Sequence, residues 1–341
     1  MTTHKERIQT CIGGEIIDRA PVALWRHFPV DDQAPGTLAK ATLHFQQTYD
    51  FDFVKVTPAS SFCVKDWGVE DAWRGDTEGT RQYTKRVVHE PQDWEKLPTL
   101  DPSARHLAAQ LECLRLIRAE LDPSTPLLQT IFSPLTQAKN LAGNETLLAH
   151  LRLHPEAVMK GLATITESTC RFVEACLATG IDGIFYAAQH AQASLLTRDE
   201  YKTFGLTDDR KVLEPAQELW CNLLHLHGKD IYFSLLADLD FPIVNWHDRE
   251  TDPSLTEAQG QFAGVACGGL RQDTLVYGDQ AEVRNEAADA IRQTGGKRFI
   301  LATGCVVPII ASHGNILAAR TSPQPFAEHP RGTPERRGGK L

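Results

Sequence analysis

Short apolar runs recur along the chain, each closed by a polar or glycine residue and each followed by a longer stretch of mixed polarity. The runs are PVALWRHF (21–28), FVKVTP (53–58), LLQTIFSP (127–134), GIFYAAQ (183–189), LLHLHGK (223–229), PIVNWHD (242–248), GVACGGL (264–270) and RFILATGC (298–305). Each has the length, the β-branched or aromatic content and the turn boundary of a buried strand. The stretches between them read as helices. Residues 154–180 space their apolar side chains three to four apart and end on Gly180, a C-cap residue. Residues 197–220 open on Thr197 with Glu200 three positions later, a capping-box pattern, and residues 279–296 close on a glycine pair.

Eight strand runs alternating with helices predict an α/β fold, a single-domain (β/α)8 TIM barrel over residues 1–320. An open doubly wound sheet is the runner-up, but no G-x-G-x-x-G follows the first run, and Gly13-Gly14 reads only as a turn. Residues 60–100 break the alternation. They read as a loop excursion with a small hairpin in 73–90, and Trp67, Trp73 and Trp94 within it read as packing residues. Residues 321–341, rich in Pro, Gly and charge, are expected to be a disordered tail.

Composition narrows the function classes. The chain has 341 residues, is 42% hydrophobic and carries a formal net charge of −9. A mildly acidic chain without a basic stripe is a poor binder of nucleic acid or of an anionic membrane surface. No apolar run approaches the ~20 residues of a membrane helix. The polar start, MTTHKERIQT, has no apolar segment of a secretory signal, so a cytoplasmic protein is expected. The eight cysteines (11, 63, 113, 170, 176, 221, 267, 305) are scattered without a C-x-x-C pair, which gives neither a disulfide framework nor a zinc ribbon.

In a barrel the chemistry lies at the C-terminal ends of the strands. The runs end on Arg26-His27, Thr57, Ser133, Gln189-His190, His225-x-His227, Asn245-Trp246-His247-Asp248, Gly268-Gly269 with Arg271 after them, and Cys305. Strand side chains alternate, so His225 and His227 share a face and can chelate one metal ion. The bland reading is a hydrogen-bonded pair in a polar barrel mouth. Cys305 is a candidate third ligand as a thiolate, or else a small buried residue. His247 and Asp248 are reserve ligands or a catalytic acid–base pair; Asp248 has Arg249 or a histidine as alternative partners. Arg26 suits a substrate carboxylate, or pairs with Asp31 or Asp32. His190 joins the catalytic candidates, and His27, Gln189, Asn245 and Arg271 join Arg26 as candidate substrate contacts.

These landmarks resemble the uroporphyrinogen decarboxylase superfamily, which also contains the methylcobalamin:coenzyme M methyltransferases and related corrinoid-linked enzymes. The resemblance runs to about residue 320. It rests on RAPVALWRH (19–27), TPLLQTIFSPLT (125–136), AQASLLTRDEY (191–201) and ILATGCVVP (300–308) with NILAA after it. The decarboxylase branch looks like M-R-Q-A-G-R-Y on the first strand. Here WRHFPVDDQ matches its first arginine with Arg26 and has Val30 at the second. The catalytic aspartate of that branch, after the second strand, has no counterpart in VKVTPASSF, and Cys305 stands where its late motif has a histidine.

The methyltransferase branch resembles H-x-C-G and G-C-x-x-P elements that together hold zinc. Here they are His225-Leu226-His227-Gly228 and Gly304-Cys305-Val306-Val307-Pro308, with His227 replacing a cysteine. The resemblance implies zinc on His225, His227 and Cys305, and methyl transfer between a small substrate and a corrinoid carried on a partner protein. It leaves monomer or homodimer open. Uroporphyrinogen decarboxylation, metal-dependent hydrolysis and non-catalytic binding are the other readings.

Overall fold

The computed structural model describes residues 2–323, and its central element is a parallel sheet curled into a barrel. In chain order the strands are β1 (Val54–Val56), β2 (Glu70–Ala72), β3 (Gln82–Lys85), β4 (Leu127–Phe132), β5 (Gly183–Ala188), β6 (Leu223–Leu226), β7 (Ile243–Trp246), β8 (Val265–Leu270) and β9 (Phe299–Thr303). The barrel sheet runs β1-β4-β5-β6-β7-β8-β9, every neighbouring pair parallel. All seven of these strands are buried on both faces along their whole length, as helices outside and packed side chains inside require.

The first apolar run closes the barrel, but not as a full strand. Val22 makes one parallel bridge to Leu301. The Leu301 N–H donates to the Pro21 carbonyl (2.8 Å) and the Ala23 N–H to the Leu301 carbonyl (3.0 Å). On the other side the Asp52 N–H donates to the Val22 carbonyl (2.8 Å). Two features stop a ladder here. Pro21 has no N–H, and the Val22 N–H donates to the Asp52 carboxylate (2.7 Å) instead of a strand carbonyl.

Asp52 is the hub of that closure. It is fully buried and accepts from Arg7 (2.7 Å), Arg19 (2.7 and 3.0 Å) and the Val22 N–H, with the His4 ring at 3.0 Å. Its network joins the N-terminal helix His4–Gly13, the closing segment and the entry to β1.

The helices follow the apolar spacing. Pro155–Leu177 buries a continuous stripe, and Gln280–Thr294 has an Asp279/Glu282 capping box and a left-handed Gly295 cap. The stretch read as one helix over 197–220 begins with the expected Thr197/Glu200 box. It then passes through a π turn (Lys202–Leu206) and ends in a 3-10 turn at Glu214–Ala216, where Pro215 cannot continue the helical bonding. The excursion contains a hairpin, with β2 antiparallel to β3. Trp94 is fully buried and donates to His150 (3.0 Å), and Trp67 packs on the core; Trp73 is only partly covered. The hairpin loop is tied to the barrel rim, where the Ile309 N–H donates to the Thr77 carbonyl (2.7 Å) and Arg81 to the Pro29 carbonyl (2.7 Å).

The helix His313–Thr321 is the last described element, and from residue 324 the expected tail lies outside the described residues. Among the described residues no helix is long and apolar enough to cross a membrane.

Burial raises the pKa of the Asp52 carboxyl. The hydrogen bonds from His4, Arg19 and Val22 outweigh it and hold the group far below the ordinary carboxylate range. A depressed folded pKa contributes stability that is complete above the unfolded value of about 3.9 and is lost as pH falls below it. Asp52→Asn is therefore expected to lower stability at pH 7 by about 3 kcal/mol, because the partly buried Arg19 loses its counter-charge and the buried Arg7 keeps only Asp18. Its urea midpoint should also fall less between pH 5 and pH 3 than that of the wild type. Equal acid sensitivity in the two proteins would remove Asp52 from this role.

Candidate metal centre

Residues one position apart in a strand face opposite sides, and in this barrel the alternation points Trp25, His27, Lys55, Thr57, Thr130, Phe132, Phe185, Ala187, His225, His227 and Cys305 into one cavity of about 320 Å³. Loop and hairpin residues, among them Glu78, Arg81, Tyr83, Lys139 and Gln189, complete the wall.

Four side chains converge at its edge. Donor atoms of His225, His227, His247 and Cys305 all lie within 4.8 Å of one another. The Cys305 sulfur is 3.8 Å from His225 Nε2 and 3.7 Å from His227 Nδ1, and His247 Nε2 is 3.4 Å from His227 Nδ1. Bonds of about 2.0–2.1 Å to nitrogen and about 2.3 Å to sulfur in a tetrahedron place ligand atoms about 3.3–3.6 Å apart. The observed spacings thus fit a zinc-sized ion with little adjustment.

Local structure explains the convergence. His225 lies in β6 in register with Asn245 of β7 and Ala187 of β5. His227 follows β6, its N–H donating to the Ala188 carbonyl (3.2 Å), and Gly228 turns the chain away with φ +94°. Cys305 arrives from β9 through Gly304. A Cβ on Gly304 would lie 2.7 Å from the His247 Cα, so only glycine lets these two strand ends approach. The Thr303 hydroxyl donates to the Cys305 carbonyl and steadies the turn.

Asn245 sets the chemistry of His225. Its amide nitrogen donates to the carbonyls of Cys267 (2.8 Å) and Thr303 (3.0 Å), which leaves its oxygen facing His225. His225 Nδ1–H donates to that oxygen (2.6 Å), so Nε2 carries the lone pair toward Cys305. Burial, then the neighbouring His227 and His247, hold the His225 pKa well below the ordinary imidazole value. Burial, His247 and Lys139 pull His227 down to about 4. These rings are neutral near pH 7, the form that binds metals. Burial pushes the Cys305 thiol up to about 11, with Glu78 adding to the shift.

The other candidates named from the residue order divide. His27 and Gln189 line the cavity; burial pulls His27 down to about 3, and Gln189 accepts from Lys139 (3.2 Å). Arg26 has the opposite parity from Trp25 and His27 and does not line the cavity. Its guanidinium lies over Phe28 (5.6 Å), so the expected grip on a substrate acid is not formed there. Asn245 is fully buried beneath the histidines and positions His225 instead of facing a substrate. Arg271 has left the strand and sits beside Glu286 (3.7 Å), half exposed. Asp248 has the parity opposite to His247. Its carboxylate accepts from the Gly269 N–H (2.9 Å) behind the site, with burial raising its pKa to about 6. It forms no acid–base pair with His247, which has Glu250 at 3.9 Å as its nearest carboxylate. His190 is buried against Asn144 (3.3 Å), off the cavity wall.

Sequence reasoning missed Lys55, Lys139 and the hairpin's share of the wall. A lone lysine between Val54 and Val56 was the available signal for the first. Only the tertiary fold brings the others to the mouth.

A parallel barrel with histidine and thiol donors at its strand ends has the form of an enzyme with a soft-metal site. The chain belongs to the uroporphyrinogen decarboxylase (URO-D) family, whose model matches residues 3–320. It is 21% identical to the methylcobamide:CoM methyltransferase MtaA of Methanosarcina barkeri, over 93% of this chain and 96% of that protein. Among solved structures it superposes on a methyltransferase from Methanosarcina mazei with a TM-score of 0.82 at 19% identity, covering 94% of this chain and 98% of that one. A B12-independent methionine synthase from Shewanella sp. W3-18-1 superposes with a TM-score of 0.60 at 14% identity, over 89% and 92% of the two chains. Both likenesses show the TIM-barrel fold.

Two outcomes follow from this geometry. Asn245→Leu should weaken metal affinity by about 10–100-fold, measured by competition with a chromophoric chelator; unchanged affinity would mean His225 needs no orienting partner. At pH 7 the histidines are already neutral and the Cys305 thiol is protonated. Metal uptake should therefore release one proton, and affinity should rise about tenfold per pH unit up to about 11. Calorimetry in buffers of different ionisation enthalpy reads this release, and Cys305→Ser should abolish it.

Proposed function

We propose that the protein is a zinc enzyme that moves a methyl group between a small substrate and a corrinoid, with His225, His227 and Cys305 holding the ion and His247 in reach as a fourth donor. The observation that carries this reading is the convergence of three imidazoles and one thiol at the mouth of a URO-D family barrel, at spacings a tetrahedral ion can bridge. The methyltransferase relatives support the reaction class. Zinc supplies either activation of a substrate thiol as thiolate or Lewis-acid polarisation of a methyl donor.

The chain's own residues do the remaining work. Burial keeps the histidines neutral, and Asn245 aims one of them. Trp25, Phe132 and Phe185 line the cavity with apolar surface that excludes water. Gln189 and Lys139, bonded to each other, offer polar contacts at the rim. The corrinoid would arrive on a partner protein. Decarboxylation of a porphyrinogen is less well supported, since Glu78 is the one carboxylate lining the cavity among the described residues and Arg26 lies outside it.

Tag-free protein should contain about one zinc per chain by elemental analysis, and Cys305→Ser and His227→Ala should lose it while keeping their circular dichroism. The zinc form should exchange methyl groups with a corrinoid, either consuming methylcobalamin in the presence of a small thiol or methylating cob(I)alamin from a small methyl donor, both followed by absorbance. The metal-free variants should be slower by about a hundredfold or more. Metal-free wild-type protein would sink the ligand assignment. Zinc without any methyl exchange would turn attention to hydrolysis.

A further inference from the structure

Lys55 is a buried amino group without a counter-ion, its pKa lowered by burial to about 7, so that an anion beside it would hold it as the ammonium. It sits in β1 with its side chain in the cavity, and among the described residues its ammonium makes no hydrogen bond and no ion pair. Its neighbours are rings, with Phe185 4.4 Å and Trp25 5.9 Å from the nitrogen. The other cations of the wall have partners. Arg81 bonds Asp71 and the Pro29 carbonyl, and Lys139 bonds Gln189. Glu78, the one carboxylate on the wall among the described residues, is bonded to Gln272 (3.0 Å).

A desolvated ammonium is costly unless it is paired, and cation–π contact offsets only part of that cost. A methionine would fill the same space without the penalty. An ionisable group held this way and facing a cavity marks a site of recognition. A single ammonium is a point charge, suited to a monoanion more than to a phosphate dianion that calls for a guanidinium fork or several donors. The surrounding space, about 320 Å³, equals about ten water volumes. Its aromatic walls at Trp25, Phe132 and Phe185 suit an apolar body of ring size.

We propose that Lys55 is the recognition point for a small organic acid, a monoanionic carboxylate or sulfonate, whose charged end meets the ammonium and whose apolar body lies along Trp25, Phe132 and Phe185. This deepens the reading of the barrel mouth as the active site and gives the substrate its acidic group, which Arg26 does not face.

Benzoate and its uncharged counterpart benzamide are the probes, titrated calorimetrically into tag-free protein as isolated and into chelator-treated protein. Benzoate should bind at least about tenfold tighter than benzamide in both. Lys55→Met should bring benzoate down to the level of benzamide and leave metal content unchanged, and Lys55→Arg should keep the preference. Equal binding of the two probes by wild type, or no binding of either at millimolar concentration, overturns the proposal without reference to any variant. So does full benzoate binding by Lys55→Met. Benzoate binding lost on chelation would make the metal the anion's partner. Metal lost from a folded Lys55→Met would make the lysine a support for the Cys305 thiolate. Because the chelated protein is tested too, failure of the zinc reading leaves this experiment decisive.

Discussion

The Asn245 side chain is the contact on which both the barrel and its mouth depend. One buried amide reaches from β7 to His225 of β6 on one side and to the carbonyls of Cys267 in β8 and Thr303 in β9 on the other. Four consecutive strands are pinned at one level by three hydrogen bonds. Each bond left unmade in such a dry interior costs about 1–3 kcal/mol. The same amide fixes which nitrogen of His225 holds a proton and the distance from which Cys305 departs β9. Fold stability and donor geometry are thus consequences of one interaction, and a change there cannot affect one without the other.

The mouth is electrostatically unusual. Three imidazoles lie with ring centroids 5.1–6.1 Å apart, and burial suppresses the protonation that would make them repel. Their neutrality comes from the same exclusion of water that raises the Cys305 thiol and lowers Lys55 to about 7. His225, His227, His247, Cys305 and Lys55 are all driven toward their uncharged forms. A divalent cation reverses that for Cys305 alone, because a thiolate bound to an ion no longer needs solvent. The dry pocket therefore selects for a soft cation and against a proton.

Much of this was legible in the residue order, for a definable reason. His225-x-His227 and Cys305 end apolar runs, and a period of two with inward and outward faces is a local property of a strand. The barrel followed from the alternation of runs and helices. The parity rule, applied to every candidate, would also have turned Arg26 and Asp248 away from the cavity, as the structure does. Three things were not local. Asn245 has the right parity but lies one level too deep, which depends on the β7–β8–β9 register. The hairpin's place over the mouth rests on the Ile309–Thr77 and Arg81–Pro29 bonds, each between residues far apart in sequence. Closure by Pro21–Ala23 as a single bridge depends on a carboxylate, Asp52, that arrives from outside the run.

The barrel is shared with solved structures at 14–19% identity, because a packed core tolerates exchange of apolar residues when volume and alternation are kept. The mouth is where this chain's own choices lie. In the proposed centre, His227 stands where the resemblance to the methyltransferase branch puts a second thiolate. Two thiolates would cancel the charge of a divalent ion, whereas one leaves the centre positive. A positive centre donates less electron density to a bound thiolate and polarises a bound oxygen or nitrogen more strongly. Lys55 of β1, on the wall of the same cavity, adds to the same field when protonated. Charge count and cavity lining therefore favour Lewis-acid activation of a methyl donor over presentation of a strongly nucleophilic thiolate, and they favour a substrate that brings its own negative charge.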